Sequence, residues 1–463
     1  MDSNKFYFSY TYDLTHNLSD NFSYSLSQNK DIKETFESSD FPNFRWNDYI
    51  ANHFKKACPG DIQTDTWVVR LILGCYEEMT IELFSNILSV HVVSRRMIQN
   101  AGTRYLRRGL NPEGFVANFV ETEQIVHNQT VSSKIKPLFS SFIQVRGSVP
   151  LYWFQEPSLM NPKPDIKNLN EDVRMVGSNK HFSDMIGLYG RNIFCLNLMK
   201  NRLNKKTNKE EILSEDYRDL MRALKTLDKV FSSIEYLHID LKNQIKEDQD
   251  NFFQMAFELA DKLTTAHSFF MLSGFDDRCQ PGEILVQYQQ GISRVNCVDC
   301  LDRTNFMMNI IAELALNKQL KACLQMKTSD KLELSQKISL TYQSMWRNTG
   351  DNIALQYGGS KAHQQKDGSK VDVVFQSFKR FYTNTFKDNF KQYLISLFIG
   401  DFKPGSNELW DKKQVCTKYR PSSKILAMLQ EGKLFGAKFP DFTRKITLKP
   451  AKKLDDYSYI IPV

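Results

Sequence analysis

The segment from Arg294 to Asn305, RVNCVDCLDRTN, constrains the fold more than any other part of this chain. A β-type run precedes it. A buried helix is predicted to follow it from Thr304 to Leu324, on the spacing of Met307, Ile310, Ile311, Leu314 and Leu320. Cys297 and Arg303 stand with five residues between them, and Thr304 comes next. A short loop entered from a strand and left into a helix curls its backbone N–H groups around one point, and the helix N-terminus adds positive dipole character there. Such a loop is a cradle for phosphate. Arg303 closes it with a bidentate grip on two phosphate oxygens. Cys297 lies beneath the phosphorus, among donors that favour its anion. A free thiol titrates near pH ~8.5, and surroundings of this kind lower that value by about one to several units.

The chemistry follows from the placement. The Cys297 thiolate attacks phosphorus in line to give a cysteinyl-phosphate, the loop amides and Arg303 stabilise the equatorial oxygens, and water then releases phosphate. The Thr304 hydroxyl is placed to bond the sulfur and improve it as a leaving group. Asn296, Val298, Cys300 and Leu301 complete the loop, with Arg294 at its base. An alkoxide leaving group needs a proton, and Asp299 and Asp302 both lie in the loop. One is expected to be a general acid with a raised pKa. The other is expected to point away and bond Arg294 or a backbone amide. Asp299 is the favoured donor, though the residues leave the choice open. Cys297 and Cys300 also spell Cys-x-x-Cys. A structural zinc site wants a second pair, and upstream there are only lone Cys279 and lone His267; a dithiol redox role lacks a thioredoxin-like setting. Under oxidation Cys300 has the spacing to protect Cys297 as a disulfide.

Around this centre the chain alternates strands and helices, which predicts a mixed α/β (α+β) fold. At 463 residues it exceeds one typical core. The reading divides it into a β-rich N-terminal subdomain (1–115), an α/β cysteine-phosphatase catalytic subdomain (116–402) and a basic tail (403–463). Strands are predicted at 5–11, 66–73, 87–94, within 141–154, and at 192–198, 234–241 and 284–288. Helices are predicted at 215–230, 251–269, 332–346 and 373–398. Residues 200–211 are dense in charge and read as a solvated loop. His238 and Asp240 read as ordinary polar residues at a strand end.

The net charge of +8 favours polyanions without choosing among them. An arginine cluster, Arg95 to Arg108, is the main support for a nucleic-acid surface, but no zinc-finger spacing or basic-aromatic signature accompanies it. Eight scattered cysteines in so long a chain are no disulfide framework and point to a reducing compartment. The N-terminus lacks the pattern of a signal peptide, and no apolar run is long enough to span a bilayer.

RVNCVDCLDRTN resembles the signature of the Sac-domain phosphoinositide phosphatases, R-x-N-C-x-D-C-L-D-R-T-N, at every fixed position. Further segments are similar to this family in the same order: FYFSYTYDLT near the start, SRR at 94–96, GTRYLRRG at 102–109, NFVETEQIV at 118–126, RGSVPLYWFQ at 146–155 and GDNIALQYGGSKA at 350–362. The resemblance covers roughly residues 5 to 402. It implies a two-part Sac module that removes monophosphate from the inositol ring of phosphatidylinositol phosphates, phosphatidylinositol 4-phosphate first and with some tolerance of the 3-phosphate. It implies Cys297 as nucleophile, Arg303 as phosphate-binding arginine, and no metal or cofactor. The partners are then phosphoinositide lipids in anionic membrane surfaces, with no nucleic acid and no transmembrane segment. The place is the cytoplasm, with peripheral attachment to membranes through basic charge, including the Lys433–Lys453 arm. The rival readings are a non-catalytic phosphoinositide-binding adaptor and a phosphatase for soluble inositol phosphates or phosphoproteins.

Overall fold

The structure, a computed structural model, describes residues 5–28, 44–57, 68–130, 138–156, 164–169, 175–200, 210–273, 285–360, 391–401 and 452–453. The strands are β1 (Phe6–Phe8), β2 (Ile72–Leu83), β3 (Asn86–Arg96), β4 (Val120–Asn128), β5 (Leu138–Arg146), β6 (Trp153–Gln155), β7 (Ile166–Asn168), β8 (Asn192–Asn197), β9 (Glu235–His238), β10 (Phe270–Ser273), β11 (Leu285–Gln287), β12 (Gly291–Asn296) and β13 (Lys452–Lys453). The helices are α1 (Leu18–Gln28), α2 (Asp48–Ala57), α3 (Val176–Tyr189), α4 (Glu210–Leu227), α5 (Leu241–Glu247), α6 (Gln249–His267), α7 (Asp302–Cys323), α8 (Gln336–Gly358) and α9 (391–399).

One large sheet organises the chain in the order β13-β1-β2-β3-β4-β5-β12-β8-β9. From β1 to β5 the neighbours run antiparallel, whereas β12 is parallel to both β5 and β8, and β8 to β9. Strand β5 divides one edge between two partners. Its first half pairs with β10 and its last three residues with β12. The sheet is covered on both faces, as a parallel segment requires. One core contains Phe22 of α1, Phe182 of α3 and Tyr217 of α4. The other contains Phe252 of α6, Ile311 of α7 and Trp346 of α8. The mixed α/β class predicted from sequence is the one observed.

Several elements differ from the sequence-based reading. The strand predicted at 66–73 lies later, as β2, because the Glu77–Met79–Ile81 alternation extends the apolar run that begins at Ile72. The N-terminal region also holds α1 and α2 among its strands. Strand β4 has no obvious pattern in VETEQIVHN, yet all nine of its residues are buried. Its polar side chains are satisfied from within: Arg95 donates to Glu121 and Glu123, and Gln124 donates to the Ala312 carbonyl and to Gln319. Helix α6 buries Phe252, Ala256, Ala260 and Leu263, while Phe257 is exposed. The charged stretch read as a loop ends in a helix start, and Glu210 and Glu211 are buried. The sheet passes from β3 to β4 without interruption across residue 115. The predicted helix at 373–398 is described only from residue 391, and the basic arm only at Lys452 and Lys453.

Arg95 is fully buried between two glutamates. Removing one partner from a buried ion network leaves charge uncompensated and costs about 3–5 kcal/mol. Arg95→Met is therefore expected to lower unfolding free energy by that amount in denaturant titration. A loss below about 1 kcal/mol would mean that the network contributes little to the fold.

Candidate active site

Strand β12 is buried at every position and ends at Asn296. Its parallel partners β5 and β8 end beside it, at Arg146 and Asn197. Asn296 donates to Asn197 Oδ1 at 3.0 Å, which ties the two strand ends together. Arg294, also buried, donates to the Ser148 carbonyl at 2.6 Å and to Tyr217 Oη at 3.3 Å. Its Nε donates to His181 Nε2 at 3.4 Å. Burial first, and the guanidinium second, keep that imidazole well below its ordinary pKa, so it is the neutral acceptor this bond needs. Arg294 is thus a girder under the loop, bonded to none of the loop aspartates.

The loop turns between Asn296 and α7. Cys300 adopts a left-handed backbone (φ 53°), the kind of sharp reversal that tight anion cradles use. Helix α7 begins at Asp302 behind Leu301, with no side-chain cap, so its first-turn amides remain donors for whatever sits in the loop. Leu301 packs with Val120, Ile353, Ala354 and Tyr357. Val298 packs on the core around Arg294's side of the sheet. Asp302 is exposed in the first helical turn, on the side where a carboxylate suits the dipole.

Cys297 is buried at the start of the loop, and Cys300 is buried as well. Burial pushes the Cys300 thiol up to about 12, and its sulfur donates to the carbonyls of Gly147 (3.0 Å) and Cys297 (3.3 Å). Cys300 is therefore a protonated brace, and both cysteines are free thiols rather than a disulfide. The Thr304 hydroxyl is completely buried and has no partner among the described residues. The expected bond to the Cys297 sulfur is not made, which leaves a donor available inside the site.

Arg303 extends from α7 towards β8 and α4. Its Nη1 donates to the Leu198 carbonyl at 2.9 Å and to Glu210 Oε1 at 2.5 Å. Burial alone would lower its proton affinity, but the Cys297 sulfur and Glu210 outweigh that and hold it firmly charged. Glu210 was hidden in the sequence by the charged stretch before it. His238 sits alongside, with Nε2 at 3.0 Å from the Met199 carbonyl, and Asp240 caps α5.

Asp299 is gripped by arginines from a distant segment. Arg108 donates to it and, through Nη1, to the Val298 carbonyl at 3.0 Å; Arg104 lies 3.8 Å away. Asn118 donates to the Asp299 carbonyl at 3.2 Å. Burial works against the ionised form, yet Arg108 and then Arg104 prevail, and the carboxyl is held below its ordinary range. The raised pKa expected of a proton donor is thus reversed here. Within the arginine cluster, Arg95 and Arg96 are fully buried and Arg108 nearly so, while Arg104 and Arg107 remain partly exposed. No carboxylate beyond Asp299 and Glu210 is seen to pair with the arginines at the loop among the described residues.

Residues 1–246 match the SacI homology domain. The chain is 31% identical to the phosphoinositide phosphatase SAC5 of Arabidopsis thaliana over 88% of its own length and 55% of that protein. It is 33% identical to the polyphosphoinositide phosphatase of Schizosaccharomyces pombe over 86% of its length and 47% of the relative. It is 30% identical to the phosphatidylinositol-3-phosphatase SAC1 of Saccharomyces cerevisiae over 87% of its length and 62% of the relative. The chain spans about half the length of the curated relatives it matches. With more than half of its residues in the matched region and its loop built as described, the chain belongs to the SacI homology domain family.

Proposed function

We propose that this protein is a phosphoinositide phosphatase that removes inositol-ring monophosphate through a cysteinyl-phosphate on Cys297. One observation carries the reading above the others. A buried cysteine opens a loop that ends in an uncapped helix N-terminus, and the arginine on that helix's first turn lies within electrostatic reach of its sulfur. The names of the relatives, all phosphatases of phosphoinositides, support the substrate class.

In this mechanism Cys297 Sγ attacks phosphorus as the inositol oxygen departs. Arg303 exchanges its hold on Glu210 for the transferred oxygens, and the free amides of α7 take up the charge that spreads onto them. Thr304 gives its unpartnered hydroxyl to the sulfur as water cleaves the thiophosphate bond. Asp299 supplies the leaving-group proton once substrate is bound. A phosphate dianion repels the carboxylate and competes for Arg104 and Arg303, and both effects raise its proton affinity from the depressed value. Asp302, exposed at the helix start, is the alternative donor. Phosphatidylinositol 4-phosphate is the first substrate, from the family resemblance. The 3-phosphate is the second, since two of the relatives carry the name phosphatidylinositol-3-phosphatase. Among the described residues no helix is long and apolar enough to cross a membrane. On this reading the protein meets its lipid at an anionic bilayer surface from the cytoplasm, with basic charge worth about 1 kcal/mol per well-placed Lys or Arg.

Phosphate release from liposomes carrying each phosphoinositide in turn tests the substrate assignment. Cys297→Ser is expected to abolish release while binding to the same liposomes persists. Retained turnover excludes the cysteine mechanism, and wild-type protein that binds but never releases phosphate establishes the adaptor reading. A preference for soluble inositol phosphate or a phosphopeptide moves the substrate off the membrane.

Asp299→Asn separates proton donation from loop bracing. The lipid reaction is expected to slow by about 10²–10⁴-fold, the usual contribution of a general acid. An aryl phosphate whose leaving group needs no proton should be hydrolysed at nearly the wild-type rate. Equal losses on both substrates would assign donation to Asp302 and leave Asp299 as the partner of Arg108.

A further inference from the structure

Arg146 is the last residue of β5. In the parallel ladder its partner is Val295, so the two side chains share a face of the sheet, and Cys297, two residues further, continues that face. The guanidinium is completely buried. Nη2 donates to Asn305 Oδ1 at 2.9 Å, but Nε and Nη1 have no acceptor among the described residues. No carboxylate among those residues lies within ion-pair distance of it. The contrast with Arg95, held by two glutamates, and Arg108, held by Asp299, is plain.

A buried cation left without a counter-charge is costly to the fold. Burial draws this guanidinium down to about 10, and the groups whose negative charge opposes that pull are the sulfurs of Cys300 and Cys297. Cys300 is excluded as the anion. Its thiol is pushed up to about 12 and spends its proton on two carbonyls. Cys297 remains. Arg303 from α7 and, within the loop, Cys300 also interact with it. Asp299 acts on its neighbours Cys300 and Arg303 while held by Arg108 and Arg104. Arg294 on β12 acts on Cys300. Arg303 and Arg146 both interact with the Cys297 sulfur; Arg303 is partly neutralised by Glu210, whereas Arg146 has no carboxylate partner among the described residues.

We propose that Arg146 is the built-in counter-ion of the Cys297 thiolate: a positioning residue that keeps the nucleophile charged from the sheet side, so that Arg303 is left to grip phosphate. The inference rests on Cys297 being the nucleophile, and it adds a second cation with a different task. It also explains why a strand end beside the loop carries an arginine at a cost to stability.

The pH dependence of iodoacetamide alkylation at Cys297, followed by peptide mass spectrometry on the intact chain, reads the thiolate without any substrate. The wild-type midpoint should lie below the free-cysteine value of about 8.5. Removing the neighbouring positive charge with Arg146→Met or Arg146→Gln should raise it by about one pH unit or more, and Arg146→Lys should stay close to wild type. Both neutral variants should fold, because the charge they remove is one the fold carries at a cost. An unchanged midpoint in a folded neutral variant overturns the proposal. So does failure of both neutral variants to fold, which would mark a structural role. A wild-type midpoint at the free-cysteine value overturns it together with the cysteine mechanism, whereas a mistaken lipid assignment leaves the alkylation result untouched.

Discussion

A loop at a helix N-terminus is only as well placed as the strand that delivers the chain to it, and here that strand is β12. It is hydrogen-bonded in parallel on both sides, to β5 and to β8, so three strand ends finish together at Arg146, Asn197 and Asn296. Parallel pairing demands helices on both faces, and the helix that follows β12 directly is α7, whose first turn forms the loop's far wall. Had β12 been an edge strand, its end would move relative to α7, and the amides aimed into the loop would lose their common target. The girder role of Arg294, bonded to Ser148 and Tyr217 rather than to a loop aspartate, belongs to the same constraint.

Charge is the second theme. The loop collects Arg104, Arg108, Arg146 and Arg303 from three separate parts of the chain, against Asp299 and Glu210. These cations are not interchangeable. Arg108 fixes the loop backbone through the Val298 carbonyl and Asp299. Arg303 donates to Glu210 and the Leu198 carbonyl. Arg146 has no carboxylate partner among the described residues. On the proposed mechanism, a site that binds a phosphate dianion while keeping its own nucleophile anionic has to offset both charges, and the surplus of buried positive charge at the loop fits that requirement.

Much of this was legible in the sequence because the decisive features are local. The spacing of Cys297 and Arg303 and the apolar period from Met307 onwards are properties of one continuous segment, and the helix lies where that segment predicts; the strand expected at 284–288 is only the short, exposed β11, and the strand that enters the loop is β12, later in the chain. What was not legible depends on contacts between distant segments. Strand β4 carries Glu121, Glu123 and Gln124 at buried positions, a pattern that reads as surface until Arg95, Ala312 and Gln319 are seen to satisfy it. Glu210 reads as part of a solvated run, since nothing nearby shows that Arg303 will turn towards it. The depressed pKa of Asp299 is set by Arg108, 191 residues away in sequence. Arg146 shows in the sequence only as the first residue of the RGSVPLYWFQ segment within a β-type run, and its meaning required knowing which sulfur lay across the ladder. Helix α6 shows the limit of periodicity alone: the apolar residues fall on more than one face, and small alanines rather than Phe257 mark the buried side.

The account stands on a covalent bond between phosphorus and one particular sulfur. Acid quenching during turnover of phosphoinositide liposomes, followed by peptide mass spectrometry, looks for that bond directly. A phosphoryl adduct on the peptide containing Cys297, absent without substrate and absent in a Cys297→Ser chain, is the predicted result. Steady turnover with no adduct on Cys297, or an adduct on any other residue, would contradict it.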